Sequence, residues 1–361
     1  MRVGQSSTRF TKSQLSSVKV IVRNALSELG WNATFADALA RIDRKDVLSD
    51  VGRVQRLDRG WSTVLVARAK NSTSTEEVLV ELRARNIGAD VAVGDWVVLS
   101  ADGERVEHVV PRVSQLIRRA SSDGPKAVPQ VIAANIDVVF LVHAVNARLN
   151  QRRLERELVL AFDSGATPVI VLTKSDATSG ETARDTTDAI SAIALGVPVH
   201  VVSSVTGDGL QALLTYAAGG ETLAVLGASG VGKSTLVNAL TGTDSQQTGA
   251  IRRGDQRGRH TTTAVDLVPL PERGWLVDTP GLRAIGLWSS GRGIERAFAD
   301  IFNLADHCRF RDCKHEREPG CAVQQAIAEG RLDARRLEAM RRLVAEEAAL
   351  EAEQRRSRRW V

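Results

Sequence analysis

The sequence contains no apolar run near the roughly 18 residues that a membrane-spanning helix needs. Its first residues, MRVGQSSTRFTKSQL, are basic and hydroxylic and lack the apolar core of a secretory signal. We therefore expect a cytoplasmic protein that does not enter membranes. A large excess of one charge is also missing, since 48 Lys and Arg face 43 Asp and Glu. The net charge of +5 permits a polyanionic partner without requiring one.

Cysteine is scarce, with three residues that all lie between positions 308 and 321. An odd number in a reducing compartment does not build a disulfide framework. The pattern Cys308-x₄-Cys313-x-His315-x₅-Cys321 supplies three thiolates and one imidazole, enough for a closed tetrahedral Zn²⁺ site. The spacing predicts one structural zinc ion, because no coordination position is left for a substrate. Redox-active cysteines are the alternative, and His307 competes as the imidazole.

The 361 residues predict two or three domains. Residues 1–46 hold a weak helix candidate, VIVRNALSEL, and stay unassigned. Five short alternating runs within 47–112 predict an OB-type β-barrel, which serves either RNA binding or a structural role. RNA is favoured by its arginines Arg53, Arg56, Arg59, Arg68, Arg83 and Arg85. Residues 113–135 lack clear periodicity and are interpreted as a linker.

Residues 136–290, the nucleotide domain, alternate near-continuous apolar runs with helical stretches, which is typical of a parallel α/β sheet covered on both faces. The predicted strands are IDVVFLV, PVIVL, VPVHVV and TLAVLG. Ligands bind at the carboxyl ends of such strands, where the polar motifs fall. Residues 291–361, the C-terminal module, hold the cysteine cluster and a predicted helix over 331–361. Packing on the zinc site and contact with RNA are both open for that helix.

The stretch GASGVGKS matches the phosphate-binding loop G-x-x-x-x-G-K-[ST] between a predicted strand and a predicted helix. Its glycines let backbone N–H groups surround phosphates, Lys233 reaches the β- and γ-phosphates, and Ser234 offers a hydroxyl to Mg²⁺. A Gly-rich turn without function is the alternative. The predicted phosphate-binding residues are Gly227, Ala228, Ser229, Gly230, Val231, Gly232, Lys233, Ser234 and Thr235.

A second Mg²⁺ ligand is predicted at Asp278, which ends the apolar GWLVD and begins DTPGLR. The N–H of Gly281 is then placed to meet the γ-phosphate, although a plain strand-to-helix turn is the alternative. The Arg- and Gly-rich stretch before this strand is expected to supply a threonine to Mg²⁺ when the γ-phosphate closes it. Thr262 is favoured, and spacing does not exclude Thr261 or Thr263.

Selection of guanine over adenine is predicted from two short segments that each follow a predicted strand. TKSD follows PVIVL, and SSV follows VPVHVV. The Asp176 carboxylate can accept from N1–H and the exocyclic amine of guanine, two donors that adenine lacks there, so one carboxylate selects guanine. Lys174 is expected along the base plane, and a backbone N–H of SSV is expected at guanine O6. The predicted guanine-binding residues are Thr173, Lys174, Asp176, Ser203, Ser204 and Val205.

The guanine motifs precede the phosphate loop, while GRHTTT and DTPGLR follow it. In this order the sequence resembles the circularly permuted GTPases, and within them the ribosome small-subunit-dependent GTPase A family. The resemblance covers roughly residues 47–330 and implies an OB barrel, a zinc module with His315 as its imidazole, and binding of GTP or GDP with Mg²⁺. Thr173 stands where the common pattern has Asn, so we expect a weaker contact from this side chain to the base or the phosphate loop. Ser204 stands where Ala is usual, and a contact made by its backbone should be unaffected.

The resemblance also implies a GTPase for late assembly of the small ribosomal subunit, which binds its rRNA and leaves on hydrolysis. Leu282 follows DTPG and cannot orient an attacking water, so His260 is the catalytic candidate that the family supports. A loop-capping or partner-binding role for His260 is the alternative. We expect a monomer whose C-terminal module, attached just after DTPGLRAIGLW, moves with hydrolysis. The rival functions are a P-loop ATPase or small-molecule kinase, and an RNA-binding scaffold that uses GTP structurally.

Overall fold

A computed structural model of the chain describes residues 24–42, 51–70, 76–120, 128–194, 196–242, 265–271, 274–278 and 291–358. The strands in these ranges form an 11-stranded sheet and a separate two-stranded hairpin. None of the helices in these ranges has the length and apolar character that would let it span a bilayer.

The first half of the large sheet contains the strands β1 (Val51–Asp58), β2 (Trp61–Ala69), β3 (Glu77–Arg85), β4 (Trp96–Leu99) and β5 (Val106–Val109). They pair antiparallel in the order β3-β2-β1-β4-β5 and form the five-stranded sheet. Between its two outer strands, the described residues show a single bridge, from Arg85 to Arg105. The five predicted strands are therefore confirmed, whereas closure into an OB barrel is not, because this sheet is not closed.

The segment interpreted as a linker contains an antiparallel hairpin of β6 (Gln115–Ala120) and β7 (Val128–Ala134). Its register shifts between Leu116 and Ile117, so the alternation of buried and exposed positions is interrupted there. Leu116 and Ala133 are buried in the main core. The interruption explains why the sequence pattern showed no strand. The domain boundaries themselves stay a prediction.

The N-terminal extension supplies two helices, α1 (Asn24–Glu28) and α2 (Ala33–Ala40). Trp31 lies between them and is buried, with its ring edge-on to Trp96 of β4 at a centroid distance of 4.7 Å. From the nucleotide domain, Trp275 Nε1 donates to the carbonyl of Glu28 at 2.8 Å. The described part of the extension thus packs against both the five-stranded sheet and the nucleotide domain.

The nucleotide domain supplies the strands β8 (Val138–Ala144), β9 (Thr167–Thr173), β10 (Val199–Val201), β11 (Thr222–Gly227), β12 (Asp266–Pro269) and β13 (Trp275–Asp278). Their order is β10-β9-β8-β11-β13-β12, parallel except for β12, which is antiparallel to β13. The helices of the domain are α3 (Gln151–Asp163), α4 (Gly180–Ile193), α5 (Leu210–Leu214) and α6 (Lys233–Thr241). This is the predicted parallel α/β sheet, and its central strands β8 and β11 are apolar apart from His143 and Thr222.

The C-terminal module is helical and contains α7 (Gly291–Ala297), α8 (Ala299–Ala305), α9 (Ala322–Ala328) and α10 (Ala334–Arg358). Buried Arg336 of α10 donates to Asp300 of α8 at 2.5 Å and to the carbonyl of Ile193 at 2.9 Å. The predicted C-terminal helix is confirmed. Because Ile193 ends α4, the contact joins the module to the nucleotide domain.

The parts of the chain meet at the guanidinium of Arg53, which is 2% exposed. It donates to the carbonyls of Gly94 at 3.3 Å, Leu29 at 2.5 Å and Asn135 at 3.1 Å. A fourth bond, of 2.7 Å, reaches the hydroxyl of Thr222 in β11. One side chain of β1 therefore ties together the N-terminal helices, the five-stranded sheet, the hairpin segment and the nucleotide domain.

The charge on Arg53 is balanced by carboxylates nearby. Burial lowers the pKa of Arg53 to about 10, while Asp137 and Asp95 act in the opposite direction. The guanidinium is therefore cationic at neutral pH. Asp95 is itself buried and accepts 2.8 Å bonds from Arg112 and a 2.7 Å bond from the N–H of Ala92.

Replacing Arg53 by Ala is expected to lower the free energy of unfolding by about 3 kcal/mol or more, because several buried carbonyls lose their donor together. Urea unfolding followed by circular dichroism measures the loss. The matched control on the same strand is Arg56→Ala, whose half-exposed guanidinium makes one ion pair, with Asp266, and should cost about 1 kcal/mol or less. Equal losses for the two variants would show that the buried guanidinium does not hold the junction.

Candidate nucleotide site

The predicted phosphate loop lies between β11 and α6, at the carboxyl edge of the parallel sheet. Three of its glycines have positive φ angles: Gly227 at 152°, Gly230 at 80° and Gly232 at 100°. A Cβ on Gly227 would lie 2.3 Å from the carbonyl of Val142 in the neighbouring β8. Glycine is thus required both by the backbone turn and by the close approach of the two strands.

Lys233 and Ser234 begin α6, so the free N–H groups of its first turn face the loop. The Lys233 ammonium folds back over the loop and donates to the carbonyls of Gly227 at 2.9 Å and Ala228 at 2.5 Å. Ser234 is half-buried, and Ser229, Gly230 and Thr235 are exposed, whereas Val231 is buried. A ring of backbone groups with one ammonium at its centre suits a chain of phosphates.

The predicted guanine motif contacts this loop, although more than fifty residues separate them in the chain. Thr173 Oγ1 donates to the carbonyl of Val231 at 2.5 Å, and Lys174 Nζ donates to that of Gly230 at 2.7 Å. Lys174 adopts a left-handed backbone with φ 64°. Thr173 stands where the common GTPase pattern usually has Asn, and its shorter side chain keeps a contact to the phosphate loop.

Asp176 and the SSV segment form the adjoining part of the site. The buried Ser203 hydroxyl donates to Asp176 Oδ1 at 2.7 Å and accepts the backbone N–H groups of Val205 at 3.2 Å and Thr206 at 3.1 Å. Val205 is 77% exposed. Ser204 Oγ is buried without a hydrogen-bond partner among the described residues. Ser203 therefore fixes the orientation of the Asp176 carboxylate, which spacing alone did not indicate.

Asp278 lies at the end of β13, the strand next to β11, and faces Asp266 of β12 in the antiparallel ladder. The remaining predicted residues fall outside the described part of the chain: His260, Thr261, Thr262, Thr263, Gly281 and Leu282.

The structure adds an ion pair that the sequence analysis missed. Arg56 Nη2 of β1 donates to Asp266 Oδ2 at 2.9 Å, and the same two residues are register partners between β1 and β12. Strand β12 follows GRHTTT in the chain, so the five-stranded sheet contacts the strand next to the predicted switch segment. The signal available in the sequence was the short alternation VDLV, which is too brief to identify a strand by itself.

The four predicted zinc ligands form one cluster whose ligand atoms all lie within 4.8 Å of one another. Cys308 Sγ is 3.6 Å from His315 Nδ1 and 3.9 Å from Cys321 Sγ, and Cys321 Sγ is 3.5 Å from His315 Nδ1. Metal–ligand bonds of about 2.0–2.3 Å in a tetrahedron place neighbouring donors at about these separations. The donor set and its spacing therefore fit Zn²⁺, and the cluster lies in the loop before α9.

His315 is positioned by its own backbone. Its carbonyl accepts a 2.8 Å bond from Arg341 of α10 and a bond from the Gln324 amide of α9, and its φ is 59°. Burial lowers the pKa of His315, which favours the neutral imidazole that a metal requires. His307 is exposed and does not belong to the cluster among the described residues.

The chain is similar to proteins of one known family. The profile of the RsgA GTPase family matches residues 109–288. The "Small ribosomal subunit biogenesis GTPase RsgA" of Streptomyces coelicolor is 42% identical over 90% of this chain and 87% of its own length.

Two solved structures share the architecture. The crystal structure of YjeQ from Thermotoga maritima is 27% identical with a TM-score of 0.58, covering 82% of this chain and 98% of that one. The structure of YloQ, described as a circularly permuted GTPase, has a TM-score of 0.59 at 23% identity, covers 85% of this chain and 98% of its own, and shows the common fold. The 42% identity to the Streptomyces coelicolor protein over 90% of this chain shows that the chain belongs to the RsgA GTPase family.

Proposed function

We propose that this chain binds and hydrolyses GTP on the small ribosomal subunit during its assembly, and that hydrolysis releases it. The observation that carries the proposal is the contact between the guanine motif and the phosphate loop, with Thr173 and Lys174 bonded to Val231 and Gly230. Membership of a family whose relatives bear the name of a small-subunit biogenesis GTPase supports the partner.

Guanine selection rests on Asp176, held by Ser203 so that its carboxylate can accept from N1–H and the exocyclic amine. Because the Val205 N–H is engaged by Ser203, the N–H of Ser204 is the better donor to guanine O6. Lys174 lies along the base, and its bond to Gly230 joins base recognition to phosphate recognition.

The triphosphate occupies the loop of residues 227–235. Lys233, whose ammonium donates to the carbonyls of Gly227 and Ala228, would turn to phosphate oxygens. Ser234, Thr262 and Asp278 would hold Mg²⁺, which would supply positive charge to balance the phosphates. Gly281 offers its N–H to the γ-phosphate. Of these residues, the structure describes the loop and Asp278 at the end of β13.

Water activation is assigned to His260, since Leu282 has no group that can orient a nucleophile. A neutral imidazole can accept a hydrogen bond from the attacking water. The histidine holds and orients that water, while the γ-phosphate charge is balanced by Lys233 and Mg²⁺.

The remaining roles belong to the five-stranded sheet and the C-terminal module. The five-stranded sheet serves as an RNA-binding module, with the exposed Arg59, Arg83 and Arg85 turned to rRNA, and the chain acts as a cytoplasmic monomer. The cluster of Cys308, Cys313, His315 and Cys321 holds one structural Zn²⁺, since all four donors are protein atoms and their separations fit a tetrahedron. Hydrolysis repositions the C-terminal module relative to the sheet of the nucleotide domain.

The wild-type chain should release phosphate from GTP slowly alone and much faster with purified small subunits, because the family's partner completes the site. A continuous phosphate-release assay with GTP and ATP, each with and without subunits, measures this. Comparable turnover of ATP would favour the kinase or ATPase alternative. Tight GTP binding without turnover under any condition would favour the scaffold.

Asp176→Asn should weaken GTP binding about 100-fold or more and improve binding of xanthosine triphosphate, because the amide donates where the carboxylate accepted and xanthine carries a carbonyl in place of the guanine amine. Fluorescence titration with labelled nucleotides measures both affinities. Asp208→Asn is the control, since its exposed carboxylate bonds, within the described part of the chain, to the Thr206 hydroxyl alone. Unchanged selectivity in Asp176→Asn would remove the guanine assignment.

One equivalent of zinc should copurify with the wild-type chain and be lost from His315→Ala, together with several degrees of thermal stability, because three thiolates without the imidazole leave the site open. Metal analysis by atomic emission and a thermal unfolding scan are the two measurements. His307→Ala, one residue before the cluster and exposed, should keep the metal. Loss of zinc from His307→Ala alone would reassign the ligand.

A further inference from the structure

The contact between α3 and α10 leaves a cavity of about 570 Å³ at the start of both helices, here called the arginine cleft. One wall belongs to the nucleotide domain and the other to the C-terminal module. Its charged lining residues are Arg148, Arg152, Glu155, Arg335, Glu338 and Arg342. Four guanidiniums face two carboxylates, so the lining carries a net charge of +2.

The carboxylate deepest in the cleft is already engaged. Glu155 is 2% exposed, accepts a 2.8 Å bond from the Gln151 amide and pairs with Arg342 at 3.3 Å. Its charge is therefore balanced inside the wall, and it does not repel an incoming anion as a free carboxylate would.

Three of the guanidiniums are available. The side chains of Arg148, Arg152 and Arg335 are exposed and make no hydrogen bond or ion pair with any residue that the structure describes. By contrast, two neighbouring arginines of α10 are engaged: Arg336 is buried against Asp300, and Arg341 bonds to backbone carbonyls. Unpartnered guanidiniums on two facing walls of one cleft suit a ligand with several negative oxygens.

We propose that the arginine cleft binds the phosphodiester backbone of RNA. Of the ten lining residues only Leu149 and Ala339 are apolar, so the cleft lacks the apolar centre that protein interfaces need. Guanidinium pairs and a polar lining match consecutive phosphates, which bind through charge and hydrogen bonds while staying hydrated. This contact recognises the phosphate backbone of the RNA and not its base sequence.

An RNA strand in the arginine cleft touches the nucleotide domain and the C-terminal module together. The walls are held in register by the pairs Arg156 with Glu346 and Arg342 with Glu155. Bound RNA therefore stabilises this docked arrangement of α10 on α3 by mass action. The inference rests on the proposed function only for which RNA occupies the cleft in the cell.

The test compares two double variants of the full chain. R148Q/R335Q removes one guanidinium from each wall, and R41Q/R184Q removes the same charge from α4 and the end of α2, where Arg41 and Arg184 are exposed. Binding of a fluorescein-labelled RNA hairpin is measured by anisotropy across salt concentrations. We expect R148Q/R335Q to bind about tenfold or more weakly and to lower the slope of log Kd against log salt by about 1 to 2. R41Q/R184Q should stay within about twofold of the wild type.

Circular dichroism and thermal unfolding confirm that both variants are folded before their affinities are compared. Equal RNA affinities and equal salt slopes for the two variants would overturn the proposal, even if R148Q/R335Q bound intact subunits less well, since that result would identify an acidic protein as the occupant. GTP turnover of the wild-type chain with subunits is read separately. Its failure would refute the proposed function and leave the hairpin result standing.

Discussion

Burying a guanidinium is costly unless every donor finds an acceptor, and this condition organises the molecule. Arg53 meets it only when the N-terminal helices, the five-stranded sheet, the hairpin segment and β11 are all in place, because each supplies one acceptor. If any of these parts moved away, the buried guanidinium would lose one of its hydrogen-bond acceptors. The buried Trp96 ring, whose centroid lies 5.4 Å from the guanidinium, excludes water that would otherwise replace a missing partner. The relative placement of sheet and nucleotide domain is thus a matter of hydrogen-bond satisfaction as much as of apolar burial.

Much of the fold could be predicted from the sequence, because the patterns that indicate its strands involve residues close together in the chain. The bounds of β1, β2 and β3 agree with the alternating runs, and the parallel strands of the nucleotide domain coincide with its apolar runs. The hairpin of β6 and β7 was missed because a bulge interrupts its alternation, and β12 because four residues carry too little pattern. The role of Arg53 was also hidden, since a strand arginine looks like a surface residue until its acceptors, from 24 to 169 residues away, are known.

The candidate site likewise has some features that the sequence predicted and others that it did not. The phosphate loop and the cysteine spacing could be recognised because each is a short motif whose chemistry depends on neighbours in the chain. The bond from Ser203 to Asp176 and the reach of Thr173 to Val231 depend on the lateral order of β10, β9, β8 and β11, which the sequence does not state residue by residue. The arginine cleft is further from prediction still, because its walls come from helices that meet only through tertiary packing.

The lateral order of the sheet also has a consequence for biosynthesis. Strand β8 is translated well before β11, its permanent neighbour, and β9 covers only one of its two sides. Until the ribosome delivers Thr222–Gly227, the newly made chain carries an apolar strand with one open edge, the kind of surface that recruits unrelated strands. Because the phosphate-loop strand comes late in the chain, the centre of the sheet is completed late, and one edge of β8 stays open to unrelated strands during that interval.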